Sequence, residues 1–160
     1  MAATRRELTF ATLDDAAKDA ENLLARGYDR AGNWDLAQCC RHLSEWMRFP
    51  LDGYPKVPLP LKPVMWLMKV TLGKKMLLKI LTTGKFDTGG QTLKQTIPAP
   101  GGDEPAAVAQ LRVVVERFAK HDGPFHPSPL FGPMTRDEWT RLNLAHAAHH
   151  LSFLVPKQPA

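Results

Sequence analysis

An all-α fold is what this 160-residue sequence predicts, and three observations predict it. Four stretches gather apolar residues on one helical face, as amphipathic helices do, and a fifth is an apolar run with lysines inserted. Three of them open on a residue that caps a helix N-terminus, and long proline- and glycine-rich connections separate several of the stretches. The length suits a single domain, residues 1–160, built on one apolar core.

The first helix follows Thr12 as N-cap, carries Leu13, Ala16, Ala17, Ala20, Leu23 and Leu24 on one face, and closes at Gly27. The second is read from "NWDLAQCCRHLSEWMRFP". Asp35 caps it, Gln38 three residues on completes a capping box, Leu36, Cys39, Leu43, Trp46 and Met47 share a side, and Pro50 lies beyond its end. "FPLDGYPKVPLPLKP" reads as a loop or extended crossing, since each proline removes a backbone donor and turns its predecessor away from helix. A third helix, residues 62–81, is apolar with lysines inserted. The connection after it holds one short extended piece at Leu93 to Ile97. A fourth helix starts near Asp103 and Pro105 and presents Val108, Leu111, Val115 and Phe118 on one face. The fifth has the best-defined start: Thr135 caps, Glu138 closes the box, and Met134 is placed to staple onto Trp139. Its inward face runs Leu142, Ala145, His146, His149, His150, Phe153.

Charge and cysteine content narrow the function classes. The net charge is +5, but residues 56–95 hold eight lysines against Asp87 alone, a local +7 that leaves −2 for the rest. One basic segment is not a basic protein, which argues against a nucleic-acid partner. The opening "MAATRRELTF" is followed by acidic residues and not by an apolar run, so the reading is cytoplasmic. Cys39 and Cys40 are chain neighbours, too close for ordinary disulfide geometry, and read as reduced thiols.

The chemistry lies in the histidines. Positions 146 and 150 differ by about 40° around a helix, so His146 and His150 project side by side one turn apart and can grip one cation. A bare H-x-x-x-H is a weak signal, because a buried histidine is more often a hydrogen-bonded core residue than a ligand. His42, set among Cys39, Leu43 and Trp46, faces inward from the second helix and supplies a third imidazole if the helices bring it level. Three neutral imidazoles suit Zn²⁺ first, with Ni²⁺ or Fe²⁺ as alternatives, and leave a coordination position open.

Other candidates have plainer readings beside the functional one. Glu45, one turn past His42, is a candidate catalytic base or imidazole acceptor, or simply an exposed carboxylate. His149 is a candidate proton carrier, or a packing residue. Cys39 could line the site, but small buried thiols usually only fill space. His126 could close over the pocket, and a turn-stabilising role needs fewer assumptions. The third helix has a composition found on anionic membrane surfaces, though lysines interrupt it too often for it to span a bilayer.

"NWDLAQCCRHLSEW" resembles the second helix of the DinB-like (YfiT-type) superfamily, and "MTRDEWTRLNLAHAAHHLSFL" is similar to its last helix, with H-x-x-H-H near the C-terminus. "FGPMTRDEW" and the spacing of residues 8 to 154 point to one of its domain-of-unknown-function branches. The resemblance implies a four-helix bundle of up-down-down-up order, here with an additional helix in the crossover. It also implies a divalent metal held by His42, His146 and His150, with His149 outside the triad. The family commonly has a Gln at the position of Phe153; the three ligand positions are intact.

The resemblance implies a metal-dependent enzyme acting on a small molecule, a hydrolase or a transferase using a low-molecular-weight thiol. Glu45 or His149 would then move protons. The rival reading is a non-catalytic module whose Lys-rich helix 62–81 docks on anionic membrane or an acidic partner. A homodimer through that helix would also cover its apolar surface.

Overall fold

The computed structural model describes residues 3–56, 58–86 and 97–158. The chain is mostly helical: α1 (Leu13–Arg26), α2 (Leu36–Asp52), α3 (Lys62–Met68), α4 (Lys74–Thr83), α5 (Glu104–Lys120) and α6 (Arg136–Leu151). Two three-residue strands, β1 (Tyr28–Arg30) and β2 (Leu154–Pro156), pair antiparallel. The expected extended piece at Leu93 to Ile97 falls outside the described residues except for Ile97.

Caps set where the helices begin. Thr12, Asp35 and Thr135 each accept a hydrogen bond from the third helical N–H, while Asp15, Gln38 and Glu138 reach back to the cap N–H. Each such cap stabilises its helix by about 1 kcal/mol and, more usefully, settles its phase. Asp103 caps α5 through the amide of Ala106. Asp35 also accepts from the amide of Gly101 at 2.7 Å, which ties the start of α2 to the approach to α5.

The core lies where α1, α2, α5 and α6 pack on one another. Ala16, Ala17 and Ala20 let α1 approach closely, and Leu23, Leu36, Leu111, Phe118, Trp139 and Leu151 fill the interior. Salt bridges clamp the outside: Arg112 of α5 meets Asp14 and Glu21 of α1, and Arg117 meets Asp52 of α2. Ahead of α1, Arg6 forks onto Asp19 and donates to the Leu151 carbonyl, pinning the N-terminal segment beside the end of α6.

Three expectations need correction. The second helix does not stop before Pro50 but runs through it to Asp52. Pro50 is buried, its carbonyl accepts from His126 at 2.9 Å, and the last turn is held by Arg48 and Arg117 on Asp52 until Gly53, with φ 95°, ends it. The last helix ends at Leu151, so Phe153 is not on its face. There the chain turns into β2, and the Phe153 carbonyl accepts from Ala31 at 2.8 Å. The Lys-rich helix is not one regular rod: a π-helical turn, Lys69–Gly73, joins α3 to α4.

Gly73, the last residue of that π turn, lies against the 128–132 turn. A Cβ on Gly73 would sit 2.0 Å from the Leu130 carbonyl oxygen, so only glycine lets the helix rest against the 128–132 turn. That turn is itself closed by paired backbone hydrogen bonds between Ser128 and Gly132. The extra residue per turn of a π-bulge shifts the phase of α4, on which Ile80 is buried.

Two substitutions probe this packing. Leu23→Ala, at a fully buried position, lowers unfolding free energy by about 2–5 kcal/mol, read as a lower urea midpoint at unchanged slope. Gly73→Ala forces α3 and α4 off the 128–132 turn, so amide exchange quickens in 128–132 and 62–83 while α1, α2 and α5 stay protected.

Candidate metal centre

Capping and helix phase aim three histidines at one point. Asp35 starts α2 so that His42, two turns in, faces inward, and Thr135 starts α6 so that His146 and His150 lie one turn apart on its inner side. His42 and His146 are buried and His150 is half-buried. Nε2 of His146 lies 3.2 Å from Nε2 of His42 and 3.0 Å from Nε2 of His150. One ligand atom from each of the three lies within 4.8 Å of the others.

These spacings fit a shared cation. Nitrogens each about 2.1 Å from one ion stand about 3.0 Å apart at right angles and about 3.4 Å apart at the tetrahedral angle. Hydrogen bonding explains the cluster less well. A neutral imidazole Nε2 carries either one proton or one lone pair, yet His146 Nε2 faces two ring nitrogens at once. Charge also favours ligation: burial, and then the neighbouring His42, hold His146 well below the usual imidazole range. Burial and the neighbouring His146 do the same to His150. Neutral imidazoles are the form that binds metal.

Aromatic rings wall the cluster. Trp34 stacks on His150 with centroids 4.9 Å apart and planes 8° apart, and meets His42 edge-on at 5.0 Å. Trp46 stands edge-on to His146 at 5.6 Å, and Phe86 lies 5.2 Å from the same ring. Such walls fix ring orientation and lower the local dielectric. In the sequence Trp46 is legible only as part of a helix face and Trp34 as a residue preceding it. Phe86 sits at the end of a long connection and carries no signal at all.

The remaining candidates fall in different places. His149 is beside the triad, its ring 5.0 Å from His150 and 5.6 Å edge-on to Phe153. Its buried Nδ1 has no hydrogen-bond partner among the described residues. Burial, then the nearby Arg5 cation, lowers its pKa, and a backbone interaction with Phe86 pulls the other way. Glu45 is exposed and makes no hydrogen bond or ion pair among the described residues. Gln38 caps α2 and donates to the Pro98 carbonyl at 2.9 Å. His126 is exposed at the end of α2, and His121 meets the Pro124 carbonyl within its own turn. Phe153 packs on Gly32, with the Arg5 guanidinium 4.2 Å above its ring.

With this geometry in view, a comparison with protein families gives one match: the model of a family described as protein of unknown function (DUF1569), over residues 2–157. The chain belongs to that family. No curated protein and no solved structure matches it.

Cys39 is a core filler and not a nucleophile. It is buried, its thiol donates toward the His150 carbonyl at 3.9 Å, and burial pushes its pKa far up. Burial, with Glu104 nearby, pushes the Cys40 thiol up to about 12. Neither thiol is ionised at pH 8, so Ellman's reagent should react with neither in the native protein and with both in guanidinium. Fast reaction of one thiol in the native state would contradict the burial argument.

Proposed function

We propose that His42, His146 and His150 hold one divalent cation, Zn²⁺ first and Ni²⁺ or Fe²⁺ as alternatives, and that the protein is a metal-dependent enzyme acting on a small molecule. The observation that carries this reading is the approach of three Nε2 atoms from two helices, two on buried imidazoles and one on a half-buried one. Its architectural counterpart is the DinB-like bundle, with α1, α2, α5 and α6 in up-down-down-up order and α3–α4 as the additional crossover helix. The sequence motifs around His42 and His146 support that assignment.

When bound, the ion supplies Lewis acidity, which brings a water or a thiol toward deprotonation near neutral pH. The chain's own residues do the rest. Three histidine ligands leave room for a substrate group, which is what distinguishes a catalytic from a closed structural site. Trp34, Trp46 and Phe86 exclude water around the ligands and hold the imidazole planes. His149 is the better placed of the two candidate proton carriers: its buried Nδ1 has no hydrogen-bond partner among the described residues, and burial lowers its pKa, which favours the neutral imidazole that can accept a proton. Glu45, exposed on α2, would act only at the rim. The reaction is hydrolysis or transfer to a low-molecular-weight thiol.

Elemental analysis of untagged protein tests the reading. One equivalent of a transition metal is expected, and His42→Ala or His146→Ala should weaken binding more than about a hundredfold, beyond the 10–100-fold typical of a residue that merely orients a ligand. Chelation should lower the melting temperature by about 5–10 °C. Stoichiometric metal retained in both alanine variants would refute the triad.

A further inference from the structure

The helical stretch from Leu59 to Thr83 is unlike the rest of the molecule, burying only Gly73 and Ile80. Leu59, Trp66, Leu72 and Leu78 are 76%, 61%, 63% and 68% exposed. Apolar side chains this exposed along one continuous element mark an interaction surface. The same part of the chain is uniformly basic, with seven lysines and no Asp or Glu between residues 53 and 86. A groove of about 660 Å³ is lined by Lys56, Lys62 and Lys69 together with Leu59, Met65 and Trp66.

We propose that this helix lies on the surface of an anionic lipid bilayer, its apolar side chains entering the acyl boundary and its lysines meeting lipid phosphates. The groove, three ammonium groups around an apolar lining, has the chemistry of a phospholipid headgroup and its glycerol. The long lysine stems can lie along apolar surface while their charges stay among the headgroups, so lysines dispersed through the helix do not oppose the contact. Charge decides against a second copy of this face: a two-fold contact would set lysine against lysine with no carboxylate in the stretch to compensate. An acidic polymer would satisfy the lysines but leave Leu59, Leu72 and Leu78 in water. Lying on the bilayer is also what the lengths permit, since no helix among the described residues is long and apolar enough to cross one.

This surface does not depend on the histidine site, and its test is separable from the metal assay. The full chain is co-sedimented with vesicles of phosphatidylcholine alone and with vesicles that also contain phosphatidylglycerol. Binding is expected only to the anionic vesicles and should fall as salt is raised. Lys62→Gln with Lys69→Gln should weaken it about thirtyfold. Trp66→Ser with Leu67→Ser should weaken it too, while circular dichroism and metal content stay at wild-type values. Absence of binding, or equal binding to both vesicle types, overturns the proposal. So does binding to polyglutamate without binding to vesicles, which would assign an acidic partner. A concentration-dependent dimer lost in the Trp66/Leu67 variant, again without vesicle binding, would assign the face to a second copy.

Discussion

Three imidazole nitrogens crowded between α2 and α6 are the constraint that the rest of the structure serves. A neutral imidazole Nε2 makes one hydrogen bond at most, so hydrogen bonding among the rings does not by itself account for the approach of His146 to both His42 and His150. The scaffold has to impose the approach. It does so with reciprocal caps at Asp35 and Thr135 that set each helix's phase, and with a core that holds α1, α2, α5 and α6 in contact. A cation shared by the three rings would turn that imposed approach into a favourable one.

The aromatic walls belong to the same design. Trp34 lies just before the α2 cap, Trp46 one turn past His42, and Phe86 after α4, so three parts of the chain contribute rings to one enclosure. The ribbon of β1 and β2 matters because it joins the chain just before Trp34 to the chain just after His150, through pairs such as Arg30 with Leu154. Arg5 adds a cation on that side, donating to Ser152 at 2.8 Å and covering Phe153. Opposed to this enclosed region stands the α3–α4 stretch, whose apolar surface is turned outward. The two regions differ in chemistry: imidazole nitrogens enclosed by aromatic rings in one, exposed apolar side chains among lysines in the other.

Most of the local structure was legible in the residues, because caps and periodicity act within a few positions of the chain. Thr12, Asp35, Asp103 and Thr135 cap where the sequence places them, and Val108, Leu111, Val115 and Phe118 are buried as their spacing demands. The same local signals misread Pro50, because what carries α2 past it comes from His126 and Arg117, far along the chain. They also carried the last helix past Leu151 to Phe153, at the edge of β2, whose partner strand lies more than a hundred residues earlier.

What the sequence alone determined, then, is helix identity, helix phase, and the pairing of His146 with His150, all consequences of 3.6-residue geometry. Tertiary structure decided the rest. Whether His42 comes level with that pair depends on the axial offset of two helices separated by about a hundred residues, which no local periodicity encodes. The same holds for Trp34, Trp46 and Phe86 around the rings, for Glu45 on the outside and His149 within, and for the exposure of the α3–α4 stretch. Each is settled by which surfaces the remaining helices cover, and burial is a property of the packed whole.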